Sequence, residues 1–405
     1  MDPTHARGRE AHERYASTGH IDRDLLRAPI LHAWERSHEL GADARMIRAE
    51  VLGPLDMARL LDRERPLADA ARPYLQALSR AAGRERHAAM LGDPGGVVLD
   101  VLGDEASLHG PERVPEPGAR LSESTAGANG IGTPLVEGGY VEIVGPEHFI
   151  GGFHPFTCQG VPVRDAGGGI AAVLSVSVRR PEAAERLREI LVCAAHGVEA
   201  ELGRARLDED VRRLSASPDI DAWLVERLRQ DIVQSQTATR IKVEAAAISL
   251  ATSLVEQAAR MIQLAERSID GFRRQSGIWH GLAGSETGPP TAVPVDAMVR
   301  DLLLLLRTEA SIERVSVEVA VIEAVVVRDD PQRLARVLFR AFLRAFAAAR
   351  DGGAVRVEVR RRGGAEVVIE PIPAVGLGAK PADVIRLVFP EGDVTSIVHA
   401  PGGDP

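Results

Sequence analysis

The chain has 405 residues, and its 49 Lys and Arg against 58 Asp and Glu leave a formal net charge of −9. That balance supplies no overall basic field of the kind that tracks phosphates, so direct nucleic-acid binding is disfavoured. Two cysteines, Cys158 and Cys193, are too few for a disulfide framework and fit a reducing compartment. No run of about 18 uncharged apolar residues occurs, and the first twenty residues lack the apolar centre of a signal peptide, so the expectation is a soluble cytoplasmic protein of two to three domains with no membrane contact.

In chain order, a helical segment over 1–62 carries Trp34-Glu35-Arg36 and a glycine turn at Gly41. A run rich in Gly, Glu and Asn follows from Gly118 to Phe149. Gly127, Gly130 and Gly132 let the backbone turn where a Cβ would clash, and Asn129 tolerates left-handed backbone and caps its own turn. Tyr140 to Val144 and the β-branched, nearly continuous apolar run Ile170 to Val178 read as strands. A polar loop over a helix-covered sheet encloses a cavity suited to a small ligand.

Within that region Glu123 and Asn129 have the chemistry of turn and cap residues as well as of ligand contacts. His148, His154 and Cys158 offer imidazole and thiolate, which suit zinc or a redox metal, but their spacing follows no metal-binding pattern, and a lone buried cysteine usually packs as a small hydrophobe. No metal and no cofactor are expected.

The residues Trp34, Arg36, Gly41, Glu123, Gly127, Asn129, Gly130, Gly132, Thr133, Glu147, His148, Phe149 and Cys158 fall in order on a known pattern. From about Leu31 to Leu202 the chain resembles the GAF sensor domain that opens sigma-54-dependent activators of the acetoin-operon type. The resemblance implies a sensor domain over 63–206, an antiparallel sheet flanked by helices, that binds an unidentified small molecule. Its candidate contacts are Glu123, Asn129, Thr133, Glu147, His148, Phe149, His154 and Cys158. Ala128 stands where the family more often has Thr, Pro134 where it has Ala, and Thr157 where an aromatic residue usually precedes the cysteine, so the ligand chemistry is expected to have drifted.

A charged stretch from Arg204 to Asp219 closes the sensor, and Pro218 with Asp219 reads as a helix start. From Ile220 to Arg274 there is no Pro and no Gly before Gly271. Leu224, Leu228, Ile232, Ile241, Ile248, Leu254, Met261, Ile262, Leu264 and Ile269 recur at helical spacing, which predicts a helix or a helical hairpin over 207–285 whose apolar stripe needs a partner. The string Val225 to Ser235 resembles the dimerisation and phosphoacceptor helix of nitrate-sensor-type histidine kinases. The family's His-Asp pair falls on Arg229 and Gln230, and a guanidinium stays protonated and is a poor nucleophile, so this helix is not expected to autophosphorylate.

Beyond the linker Gly284 to Pro290, Val295 to Leu306 reads as a helix, Val315 to Val327 as a strand, Asp330 to Ala349 as a helix, and Ala354 to Arg360 and Glu366 to Glu370 as strands. This order over 291–400 resembles the kinases' ATP-binding α/β sandwich. The positions of the family's Mg²⁺-holding asparagines carry Arg340 and Arg344, for which an exposed helix face is the simpler role, and the Asp-x-Gly-x-Gly box is replaced by Glu370 to Gly378. No catalytic residue is assigned.

Neither a phosphate-binding Gly-x4-Gly-Lys-Ser/Thr loop nor a recognition helix near the C-terminus is evident. The resulting expectation is an α+β multidomain protein: a GAF domain, a helical hairpin and a small degenerate kinase-like sandwich. It would relay a ligand signal to a catalytically dead output module, as a homodimer or as a heterodimer with an active kinase. An active histidine kinase is the alternative, with His280 the only histidine of the helical region and linker. A transcription regulator is the second alternative.

Overall fold

The computed structural model describes residues 3–215, 222–283, 289–374, 383–390 and 397–399. Its contacts divide into two compact units, 1–203 with 235–270 and 204–234 with 271–405. Among the described residues no helix is long and apolar enough to cross a membrane.

The first unit opens with α1 (Pro3–Thr18), α2 (Ala28–Glu39), α3 (Pro54–Arg63) and α4 (Arg65–Ala82). There follow β1 (His87–Gly92), β2 (Val98–Gly103), α5 (Glu105–His109), α6 (Glu123–Ala126), α7 (Gly132–Glu137) and β3 (Val141–Val144). Two 3₁₀ turns, Gly145–Glu147 and Gly151–Phe153, lead to β4 (Thr157–Arg164), β5 (Ile170–Val178) and the long α8 (Pro181–Ser215). The five strands form one antiparallel sheet in the order β2-β1-β5-β4-β3. β1 is buried along its whole length and β4 and β5 nearly so, because both faces of the sheet are covered. On one side α4 lies against β1 and β2, with Tyr74 received at Gly197 of α8, where a Cβ would fall 2.3 Å from the ring. On the other, α7 and the glycine-rich loop press onto β4 and β5: a Cβ on Gly160 would fall 2.1 Å from the carbonyl of Gly130. The expected antiparallel sheet flanked by helices is therefore present, and β3 and β5 lie where the apolar patterns put them.

Two further helices, α9 (Ala222–Ala251) and α10 (Val255–Ala283), are joined at Ser253 with a positive φ of 61°, whereas 207–215, the start of the segment read as a hairpin, belong to α8. The anticipated start at Pro218 and Asp219 lies outside the described residues. Its buried seam differs from the predicted stripe. Ile241, Ile248, Leu254 and Leu264 are exposed, whereas Val243, Ala246, Ala247, Leu250, Ala258 and Ala265 are buried beside Ile262 and Ile269. Alanines let helices approach closely, so the seam is read from small residues rather than large ones. Within the first unit α8 supplies part of the partner: Gln236 donates to the carbonyl of Ala200 at 2.8 Å, and His196 meets Glu266 at 3.1 Å.

The second unit contains β6 (Thr291–Pro294), α11 (Val295–Leu305), α12 (Arg307–Ile312), β7 (Ser316–Ile322), β8 (Val326–Asp329), α13 (Pro331–Ala349), β9 (Ala354–Arg361), β10 (Gly364–Ile372), β11 (Ile385–Pro390) and β12 (Ile397–His399). The single strand expected over Val315 to Val327 is thus two, β7 and β8, which belong to different sheets. One sheet runs β12-β11-β10-β9-β7 with β7 parallel to β9 and the other pairs antiparallel, and β6 pairs with β8. Asp330 caps α13 by accepting from the amide of Gln332 at 2.9 Å. The helix then lays Leu338, Phe339, Phe342 and Phe346 on the buried alternate residues Val355, Val357, Val359, Val367 and Ile369. This is a two-layer α/β arrangement, as expected. Glu370 to Ile372 are strand residues of β10, and Val375 to Gly378 lie outside the described residues.

Candidate functional site

The sequence-predicted contacts gather on one face of the first unit's sheet, and their hydrogen bonds separate them. Asn129 uses its whole capacity on the loop that holds it. Its amide donates to the carbonyls of Leu121 and Gly127, both at 2.7 Å, and its oxygen accepts from the amides of Ile131 and Gly132, both at 2.9 Å. Thr133 Oγ1 accepts from the Asn129 amide at 3.1 Å. Glu123 is 3% exposed and takes a forked pair of bonds from Arg36 of α2, 2.7 and 2.9 Å long, and Arg36 also reaches Glu137 at 2.8 Å. These carboxylates hold the Arg36 guanidinium charged, raising its pKa against the cost of burial.

Glu147 is likewise clamped. Its carboxylate takes Arg27 on both oxygens and the amide of Val144 at 2.9 Å, and its carbonyl accepts from the indole of Trp34 at 2.7 Å. Phe149 sits edge-on to Trp34, with ring centres 5.2 Å apart, and beside Tyr15 at 5.3 Å. His154 packs its ring 4.4 Å from that of His12 on α1, and burial, with the neighbouring His12, pushes its pKa down to about 4. Glu123, Glu147 and Phe149 thus tie the loops to α1 and α2, whereas Thr133 braces the loop on itself.

What remains is a small chamber lined by Met90, Leu121, Asn129, Gly130, Ile131, His148, Phe153, Phe156, Cys158 and Ser177, with Val114 and Pro115 at one side. It encloses about 10 Å³ of free volume, roughly one water's worth. No charged residue lines it. His148 is fully buried, its Nδ1 lies 2.8 Å from the Gly145 carbonyl, and its Nε2 is buried with no partner. Burial pushes its pKa down to about 3, so the ring is neutral. A carbonyl only accepts, so Nδ1 carries the proton and Nε2 presents a bare lone pair. Cys158 lies 3.0 Å from Ser177 Oγ, and burial pushes its thiol up to about 12, which makes it inert. Ser175, on the same face of β5, has a buried hydroxyl without a partner. Sequence reasoning misses Ser175, Ser177 and Phe153, since their positions become meaningful only once β4, β5 and the 3₁₀ turn converge. Among the described residues no group of three or more His, Cys, Asp or Glu could hold a metal.

Two other concavities border the unit. A mouth of about 100 Å³, lined by Ile47, Arg48, Val51 and Arg113, shares Val114, Pro115 and Phe153 with the chamber. An open groove of about 490 Å³ is larger, but its cations are engaged: Arg27 with Glu147, and Arg188 4.6 Å above the Tyr140 ring.

In the second unit, Arg229 is paired with Asp208 and Glu226, each at 3.0 Å, which raises its pKa, and Gln230 bonds Glu226 at 3.2 Å. Arg340 and Arg344 lie on the exposed face of α13. His280 Nδ1 faces the buried Asp210 at 3.2 Å, and its Nε2 lies 2.7 Å from an Arg206 guanidinium nitrogen.

Comparison with known proteins bears mainly on the first unit. The chain is 27% identical over 69% of its length to the propane 2-monooxygenase operon transcriptional activator MimR of Mycolicibacterium smegmatis, and 24% identical over 67% to the acetoin dehydrogenase operon transcriptional activator AcoR of Bacillus subtilis. It spans about half of each, 50% and 44% respectively. The crystal structure of the E. coli DhaR(N)–DhaL complex is similar with a TM-score of 0.43 at 16% identity, covering 46% of this chain and 65% of that one. Residues 2–200 match the family described as MimR, N-terminal domain.

Proposed function

We propose that this chain is a regulator of transcription that reads a small molecule through a GAF-type sensor at 63–206. The observation that carries the reading is the match of residues 2–200 to the N-terminal domain of MimR, alongside relatives named as operon activators. That support favours transcription regulation, the last of the alternatives drawn from sequence, over a relay to a dead kinase core. The net charge of −9 is a whole-chain average and does not weigh against a local DNA-facing or protein-facing surface. The hairpin at 207–285 and the kinase-like module at 291–400 are proposed as the dimerising and output parts.

The mechanism begins at the chamber. A molecule larger than one water must displace its wall, and Phe153, with Val114 and Pro115, is the wall shared with the mouth. Phe153 belongs to the segment whose Glu147 carbonyl holds Trp34 and whose His154 packs on His12. Occupancy therefore shifts α1 and α2 against the sheet, two packings of one element whose balance the ligand sets. The test is a transcript comparison in the native host between strains carrying the wild-type chain, the His148→Phe variant and no copy. A defined operon should lose its induction without the chain and become uninducible with His148→Phe. Identical transcripts in the wild-type and deleted strains across growth substrates would sink the reading.

A further inference from the structure

A buried acceptor without a protein partner, in a chamber with no charged lining residue, restricts what can bind beside it. His148 Nε2 is a bare lone pair, fixed as such by the Nδ1–H bond to Gly145 and by the absence of any buried partner. A buried acceptor left without a donor carries the full penalty of its desolvation, so it selects for a group that donates to it. Ketones, ethers and esters carry only acceptors and cannot satisfy it. Carboxylates and phosphates are excluded twice over, since they are acceptors and no cation lines the wall to offset their desolvation. An ammonium ion would donate, but no carboxylate lines the wall to compensate its charge. A neutral O–H meets these conditions, since it donates to Nε2 without bringing a charge into the chamber. The rest of the molecule must suit Met90, Ile131, Phe153 and Phe156, which are apolar and leave little room.

We propose that the chamber recognises a small neutral molecule with an apolar skeleton and one hydroxyl group, whose O–H donates to Nε2 of His148. The proposal rests on the reading of the chamber as the sensory site. The molecule enters from the mouth through Phe153, Val114 and Pro115, which line both spaces.

The test is saturation-transfer NMR and calorimetry on the full chain with four probes of similar size: 1-butanol, its isomer diethyl ether, butyrate and n-butylammonium. The alcohol should bind at least about tenfold more tightly than the ether, the ratio expected of one satisfied buried acceptor. Alcohol binding should also shift the ¹⁵N resonance of His148 Nε2 while leaving Nδ1 nearly in place. In His148→Phe, which keeps an aromatic ring but removes the acceptor, the alcohol and ether should bind equally. The wild-type comparison stands whether or not that variant folds. Equal binding of alcohol and ether to the wild-type chain, with competition between them, would overturn the hydroxyl rule and leave the chamber as the sensory site, its Nε2 served by water. Binding of none of the four, with no change at His148 Nε2, would overturn both.

Discussion

Three histidines of the first unit are held neutral by their surroundings, and each makes the fold depend on pH. Burial lowers His148 to about 3, burial and the adjacent His12 lower His154 to about 4, and burial lowers His12 as well. In the unfolded chain each titrates near 6.5. Below that value the unfolded state binds protons that the folded state refuses, so stability is complete above about pH 7 and is lost as pH falls from 6.5 toward the folded values. Fully buried His148 costs the fold about 1.4 kcal/mol for every pH step of one between 6.5 and its folded value, a few kcal/mol by about pH 4, and His154 and His12 add losses of the same sign. Urea midpoints measured at pH 7.5, 6.0 and 5.0 should decline in that order, and the double variant His148→Phe, His154→Phe should show a clearly shallower decline. Parallel slopes for the two proteins would mean that other groups carry the dependence. The same low pKa values keep Nε2 of His148 a lone pair at neutral pH, so the group that weakens the fold in acid is the one proposed to read the ligand above it.

At the scale of elements, the glycine-rich loop is held from two sides. Asn129 closes it on itself, and Arg36 of α2 grips Glu123 at the start of α6. Replacing Arg36 by Met strands a carboxylate that is 3% exposed, and breaking a buried pair from one side costs about 3–5 kcal/mol. Chemical denaturation of Arg36→Met should show that loss, and adding Glu123→Gln should recover part of it by removing the uncompensated charge; a change within about 0.5 kcal/mol, the range of an ordinary surface substitution, would show that the clamp is dispensable. Much of this region is legible in sequence. Trp34, Arg36, Glu123, Asn129 and Glu147 all stand out in the pattern, and β5 can be read to the residue because an uninterrupted β-branched run leaves no other choice. Their division of labour is not legible. Whether a buried Glu meets a ligand or an Arg 87 positions away is set by tertiary pairing that local pattern does not encode. The hairpin seam is hidden for a related reason: periodicity weights large side chains, while Ala246, Ala247 and Ala265 bury best because they are small. Val315 to Val327 reads as one strand because nothing in its composition marks the turn at 323–325 that sends β8 to pair with β6.

For the molecule as a whole, the open question is whether the second unit does chemistry, and its side chains argue against phosphotransfer. A phosphoacceptor needs a free nucleophilic nitrogen. Arg229, which the sequence resemblance sets against the kinases' histidine, is a guanidinium committed to Asp208 and Glu226. His280 is the substitute within reach, and its geometry is half suitable, since Asp210 at Nδ1 would orient the ring and support a charge on it. Yet Nε2, the nitrogen that would attack, lies 2.7 Å from Arg206, whose guanidinium can only donate and so occupies the lone pair. Magnesium would need oxygen ligands, and the helix face of α13 offers Arg340 and Arg344 in their place. Calorimetric titration with ATP should therefore show no binding that depends on Mg²⁺, and incubation with radiolabelled ATP should leave the chain unlabelled. Mg²⁺-dependent binding followed by acid-labile label that disappears in His280→Gln would reverse this conclusion, because it would require Arg206 to swing from the lone pair onto the transferred phosphoryl group. Absence of both would agree with the pairing of Arg229 and His280 in the structure, which leaves neither side chain a free nucleophilic nitrogen.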